Sequence, residues 1–443
     1  MKAAVYFMLI LFLAAPGFAQ EKLTLSKSIE FALKNNPSIW ATEKTLVAAQ
    51  EKVKQAMGAC LPALSLEGGY ARTYQSPATT IFGGVPISFG IDEPANTLSY
   101  TLSLSQPLFT GGKLTSGLSL AMEGEKLSRE DLRKASIELI FNVKNAYFSM
   151  LKVQKFVTLA QEAVETAREH LDQVKVSLSA EIATKADVLR AEVQLKSQEQ
   201  NLIKAQNGLA LAGCAFNHVL GRDLEEMIVL EKAEIKEKIP EIGYNLLLAE
   251  AYKWRPDWRR FKSSKKLSEA NISLVRSDLF PSVALVSSIG SQNIDYTGRA
   301  LQYNVNSWHI AASGKWIIFD GFSNLARVRE SEANLKSLEA SEELLRKSIA
   351  LEVKEASLNL KDARERISVS GKAVDLAQEN LRISNLRYKS GLGTNLEVLD
   401  AGTSFTKAEL DLLEAEFDFE LAKAMINKTV GKEIFAAGQK DDE

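Results

Sequence analysis

Glu397 and Asp400 lie three residues apart, the spacing that sets two carboxylates on one face of a helix. Carboxylates crowded together raise one another's pKa and draw cations, so such a pair suits a constriction that ions must pass. The same spacing also describes an ordinary solvated helix face. The side chains that enzymes favour are sparser. His170, His218 and His309 are isolated along the chain, and it carries no HExxH pattern and no paired cysteine spacing. "TGGKLTS" (Thr110 to Ser116) imitates a phosphate loop, but Leu114 follows Lys113 where Ser or Thr is required, and Pro107 stands where the first Gly should. No enzyme, cofactor or resident metal is expected.

The carboxylate pair follows a turn. In "RYKSGLGTNLEVLDA" (Arg387 to Ala401), two apolar-rich helical flanks surround Gly-x-Gly-Thr, and "SLSAEIATKADVLRA" (Ser177 to Ala191) has nearly the same outline 210 positions earlier. Thr184, Val188, Leu189 and Ala191 recur as Thr394, Val398, Leu399 and Ala401, and Asp187 faces Glu397 with its charge kept. The echo extends further. "ALKNNP" (Ala32 to Pro37) returns as "AYKWRP" (Ala251 to Pro256), Pro62 as Pro281, and "LFTGG" (Leu108 to Gly112) as "IFDGF" (Ile318 to Phe322). Two copies of one unit therefore make up the chain, at 20–230 and 231–443, with an extra loop around "SPATTIFGGVPISFG" in the first.

Composition agrees with long helices. Among 443 residues Pro is 10 and aromatics 8%, while Ala, Leu, Glu, Lys and Ser fill the long stretches. A net charge of -2, with bases spread among nearly equal numbers of acids, argues against a nucleic-acid partner. Lys2, an apolar run from Ala3 to Ala15, and small residues at Gly17 and Ala19 predict a signal peptide over 1–19. Beyond it no apolar stretch of 18 residues exists, so any membrane insertion must use strands. Cys60 and Cys214 fall at the ends of different predicted helices, and no disulfide between them is expected.

Each copy alternates between helix and strand. From Leu132 a seven-residue step runs through Leu139, Ala146, Val153, Ala160, Ala167 and Val174, and the frame returns in Ile349, Val353, Ala356, Leu360, Ala363 and Ile367. Long helices are predicted at 113–178 and 322–388, tip turns at 179–184 and 389–394, and return helices at 185–219 and 395–429. A turn between such helices needs a left-handed residue, which Gly391 or Gly393 supplies cheaply. At about 1.5 Å per residue the first long helix spans roughly 100 Å.

Hairpins are predicted at 62–107 and 281–317. "TLSYTLSLSQP" alternates without a fault, with Leu98, Tyr100, Leu102 and Leu104 on one side and Thr97, Ser99, Thr101, Ser103 and Ser105 on the other. Trp308 and Trp316, eight residues apart, share one side as a pair of interfacial aromatics would. In lipid every strand edge must be paired, and the smallest membrane barrels have about eight strands. Four strands per chain must therefore close with further copies. Two copies give eight strands and a filled interior, whereas three give twelve and leave a lumen. The other reading is a pair of hairpins half-buried on a helical body.

The leader, the tandem repeat, Pro62 and Pro281 before strands, the "LFTGG" and "IFDGF" corners and the two tips together resemble the TolC-type outer-membrane efflux proteins of Gram-negative bacteria. The resemblance covers nearly the whole mature chain and implies an α plus β membrane protein. Its homotrimer would have a twelve-stranded transmembrane β-barrel in the outer membrane and a coiled-coil α-barrel of long antiparallel helices crossing the periplasm. It implies docking on a periplasmic adaptor and an inner-membrane pump of RND, ABC or related type. In related proteins a tyrosine before the second turn and an aspartate after the first help to hold the periplasmic mouth shut. Tyr388 and Asp187 occupy those positions, joined in the expected gate by Glu397 and Asp400, while Gly393 stands where an arginine helps to lock it. Ala183, Thr184, Gly391, Gly393 and Thr394 are the expected adaptor-docking residues of the tips. The alternative is a structural periplasmic coiled-coil protein without channel activity.

Overall fold

Proline decides where the first helices break. The residue before a proline is pushed towards extended backbone, and Asn36 (φ -71°, ψ 123°) and Arg255 (φ -60°, ψ 127°) take that conformation. In the computed structural model, which describes residues 23–231, 242–296 and 301–435, helix α1 (Leu25–Asn35) therefore gives way to α2 (Pro37–Gly58). The signal peptide expected over 1–19 lies outside these residues. In chain order there follow β1 (Ala63–Thr73), β2 (Ala78–Phe82), β3 (Val85–Phe89), β4 (Ala95–Phe109), α3 (Lys113–Ser179) and α4 (Lys185–Leu220). The second repeat supplies α5 (Tyr244–Trp254), α6 (Pro256–Ser277), β5 (Ser282–Tyr296), β6 (Leu301–Lys315), α7 (Ser323–Lys389) and α8 (Asn395–Val430). Corresponding helices have equal lengths of 11, 22, 67 and 36 residues.

The described chain divides into two units. The first takes the residues up to Glu43, Asp131–Arg259 and those from Leu345 onward; the second takes Lys44–Glu130 and Arg260–Leu344.

The first unit is held by the heptad seams. Val143, Tyr147, Met150, Val164, Leu171 and Val174 of α3 are buried, as are Ile349, Val353, Ala356, Ala363 and Ile367 of α7. Phe216 and Leu220 close one core, and Ile426 and Val430 close another. Tyr147 packs edge-on against both Phe148 and Phe216 and donates its hydroxyl to the Glu231 carbonyl at 2.8 Å. Burial, and next the Glu231 charge, push that phenol up to about 12. Both return helices stop at a left-handed glycine, Gly221 and Gly431, each at φ 76°.

The second unit carries an antiparallel sheet in the order β1-β4-β5-β6, with β1 and β6 as its edges. Its register aligns Leu66 with Leu102, Leu102 with Ile289, and Ile289 with Trp308. One row towards the helices Leu64, Leu104, Ser287 and Ile310 line up in the same way. Because successive residues point to opposite faces, these rows share one face, and the other bears Glu67, Ser99, Thr101, Ser103, Ser288, Ser307 and His309. The stretch around "SPATTIFGGVPISFG", expected to be loop, instead folds as the hairpin β2-β3. Gly83 (φ 58°) and Gly84 (φ 85°) supply the two positive φ angles that its two-residue turn demands.

Candidate functional site

Both tips close by one local bonding scheme. In the first, Ile182 N–H and Ala183 N–H donate to the Ser177 carbonyl at 2.9 and 3.2 Å; in the second, Leu392 N–H and Gly393 N–H donate to the Arg387 carbonyl at 2.9 and 3.1 Å. Such a return bond turns the chain through a left-handed residue. That residue is Glu181 (φ 62°) in the first tip and Gly391 (φ 71°) in the second. At Gly393 a Cβ would stand 3.0 Å from Arg387 Cβ and 3.1 Å from the Tyr388 nitrogen, a tight fit, although its counterpart in the first tip, Ala183, carries one.

Each return helix then starts on a threonine. Thr184 Oγ1 accepts from Asp187 N–H at 3.3 Å, and the Asp187 carboxylate accepts from Thr184 N–H at 3.0 Å and from its hydroxyl at 2.6 Å, a reciprocal capping box. Thr394 accepts from Glu397 N–H at 3.3 Å, but the Glu397 carboxylate turns to Arg387 Nε at 3.6 Å. Both members of that pair are about half exposed, and contacts of this kind contribute about 0–1 kcal/mol. Asp400, three residues on, is exposed.

The hydrogen bonds from Thr184, with a smaller contribution from Arg190 at 3.3 Å, hold the Asp187 carboxyl below the ordinary carboxylate range. A carboxylate whose pKa falls on folding stabilises the fold above that range and ceases to do so as pH falls through it. Acidification through the range is therefore expected to speed amide exchange in the first turn of α4, relative to intrinsic rates. Asp187→Ala should lose the capping contribution of about 1 kcal/mol at neutral pH already. An equal pH response in the variant and the parent protein would remove this role.

Tyr388 lies half-buried at the end of α7, packed on the core of Val164, Leu171, Val174, Ala191 and Leu195. Its hydroxyl is enclosed without a hydrogen-bond partner. Its ring centroid is 5.8 Å from that of His170. His170, isolated in sequence, is 7% exposed and places Nε2 2.6 Å from Asn395 Oδ1. Asn395 Nδ2 in turn donates to the Asp187 carbonyl at 3.3 Å. Neither His170 nor Asn395 stood out in the sequence, since the bond joins residues 225 positions apart and belongs to no local pattern. Beside them a groove of about 340 Å³ is lined by Glu162, Glu169, Gln194, Lys389 and Glu409. Burial, and then the neighbouring Glu162, raise the Glu409 carboxyl. Among the described residues no group of three or more His, Cys, Asp or Glu side chains could hold a metal ion.

The sheet is the second feature with a functional face. Leu98, Tyr100 and Leu102 are exposed and Leu104 is half-exposed, all on the apolar face with Trp308 at 75% exposure. Trp316 lies one residue beyond the end of β6, also exposed, and donates its indole N–H to the Leu279 carbonyl at 3.1 Å. At about 3.3 Å per residue, Trp308 and Trp316 stand about 26 Å apart along the chain, near the height of an apolar barrel belt of about 25 Å. On the far side of Trp308, the next residues of β5 and β6 on this face are Ser291, Asn306, Asn293 and Asn304, which mark its polar border. No helix among the described residues is long and apolar enough to cross a membrane.

The family model for outer membrane efflux proteins matches residues 29–222 and 247–432. Outer membrane protein TolC of Escherichia coli (strain K12) is 24% identical over 406 residues, covering 90% of this chain and 80% of the relative. The antibiotic efflux pump outer membrane protein ArpC of Pseudomonas putida is 23% identical over 411 residues, covering 92% and 82%. Among solved structures, the open state of the MtrE outer membrane channel of Neisseria gonorrhoeae superposes with a TM-score of 0.75 at 23% identity, covering 93% of this chain and 89% of that one. The outer membrane protein VceC of Vibrio cholerae gives 0.76 at 18% identity, covering 92% and 96%.

Proposed function

This chain belongs to the outer membrane efflux protein family, and from that premise we propose that three copies assemble into a passive duct gated at its periplasmic helical tips. The protein is an outer-membrane efflux channel of the TolC family, with a periplasmic helical extension. The observation that carries the trimer is the four-stranded sheet. Among the described residues its edges β1 and β6 have no further partner strand, and its face of Leu66, Leu102, Ile289 and Trp308 is exposed. Edges in hydrocarbon must be paired, so β6 of one copy meets β1 of the next. Twelve strands close the ring and leave a lumen lined by the Ser, Thr, Glu67 and His309 face. Outer-membrane lipid then covers the apolar face.

Six helical tips, two from each copy, form the mouth in this reading. Ala183, Thr184, Gly391, Gly393 and Thr394 present the surface on which a periplasmic adaptor docks, and an inner-membrane pump of RND, ABC or related type delivers cargo. Asp187, Tyr388, Glu397 and Asp400 surround the closed constriction. A polar lumen selects weakly, so choice of cargo falls to the pump. The test is mass measurement in gentle detergent together with conductance in planar bilayers. A conducting trimer is expected; a single copy without conductance would return the chain to the structural coiled-coil reading.

The acidic ring makes its own prediction. Replacing Glu397 and Asp400 together by Ala is expected to relieve block of the channel by multivalent cations. Because Glu397 already faces Arg387, Asp400→Ala should account for the greater part of the effect. Unchanged block in the double variant would place the constriction's charge elsewhere.

A further inference from the structure

The two tips differ in one respect that their shared turns conceal. Asn395, the first residue of α8, is 4% exposed, although amides at helix starts ordinarily face water. It is held on both sides, by His170 Nε2 of α3 at 2.6 Å and by the Asp187 carbonyl of α4 at 3.3 Å. With the Asn395 amide nitrogen donating to Asp187, its oxygen can only accept, so the imidazole presents an Nε2–H donor. Tyr388 of α7 covers the imidazole ring. One amide thus ties α8 to both α3 and α4, and α7 joins them through the Tyr388 ring beside His170. The position equivalent to Asn395 in the first repeat is Lys185, which is exposed, so the bridge exists once per chain.

Gly393, for its part, offers no side chain to a lock. We infer that the buried His170–Asn395 hydrogen bond is the latch that holds the α7–α8 tip against the α3–α4 tip when the mouth is closed, with both residues acting as positioning residues for the gate. The inference rests on the gate reading above for its functional consequence, but not for its geometry. Breaking the bridge leaves a buried amide oxygen without a partner, which costs more than the bond itself contributes. The latch therefore holds or releases both tips together.

Amide hydrogen exchange followed by mass spectrometry tests this on the full chain purified in detergent, beside bilayer conductance. His170→Leu removes the donor and is expected to speed exchange about ten-fold in the peptides of both tips, around residues 177–190 and 387–400, the scale set by a lost hydrogen bond. His170→Gln restores a donor at the same reach and should return both tips close to parental rates. Asn395→Ser provides a smaller perturbation should His170→Leu fail to fold, and unchanged exchange around Ile349 to Ala356 reports that the core is intact. Acceleration confined to the helix bearing the substitution, or no acceleration, overturns the latch whatever the conductance does. Acceleration in both tips without increased resting conductance upholds the latch and overturns the gate reading.

Discussion

Ile310→Arg is expected to leave the protein out of the outer membrane, whereas Ala311→Arg is expected to be recovered there in near-parental amounts. The two positions are neighbours on β6, and the register sends them to opposite faces of the sheet. Ile310 is 66% exposed, one row inside the belt that Trp308 borders. A lipid-facing Arg costs about 2–4 kcal/mol per copy at the middle of such a belt and less towards its border, a penalty that every protomer of a ring would incur. On the lumen face the guanidinium stays in water and alters conductance instead. Fractionation of cell envelopes, followed by gel analysis of unheated samples, reads both outcomes. Equal recovery of the two variants would show that lipid does not touch the Leu102 and Ile310 side.

Gly431→Ala carries the largest expected loss within the helical part. Gly431 ends α8 at φ 76°, where an L side chain costs about 1–2 kcal/mol. A Cβ there would also meet Arg255 Cα and the Trp254 carbonyl oxygen, each at 2.9 Å, and neither is the end of a flexible side chain. Overpacking of this kind adds about 1–3 kcal/mol, so a total of about 3 kcal/mol is expected. Gly371 makes the contrast. It sits inside α7 with nothing near its missing Cβ, so Gly371→Ala should stabilise by about 0.5–1 kcal/mol. Denaturant unfolding of the purified protein followed by circular dichroism separates the two. A Gly431→Ala midpoint equal to the parent's would mean that the α8 terminus and the α5–α6 corner do not pack as described.

The echo at 210 positions leads to helices α3 and α7 of equal length, and the seven-residue step marks the faces that Leu139, Val174, Ile349 and Val353 bury. Strand alternation in Thr97 to Pro107 likewise marks which side chains share a face of β4. Gly391 was legible as a turn residue, but its counterpart Glu181 was not, because an αL residue without glycine leaves no compositional trace. Gly83 and Gly84 are visible as turn residues, but the hairpin they close is not. The flanking strands are short and fully exposed, so no buried face gives them a period to recognise. At the candidate gate the chain order names Asp187 and Glu397 as equivalents. Their carboxylates nonetheless do different work, one closing a capping box and the other turning to Arg387.

The residues alone determine the repeat, the long helices, the alternation of Thr97 to Pro107, the glycine turn at Gly391 and the family to which the chain belongs. These depend on periodicities of two, three and a half, and seven residues, which a single segment carries within itself. Tertiary structure alone decided that β4 pairs with β5, so that Leu102, Ile289 and Trp308 form one row, and that His170 meets Asn395 across 225 positions. Pairings at that separation are selected by the free energy of packing whole faces and satisfying buried polar groups, and no short window of residues encodes that choice.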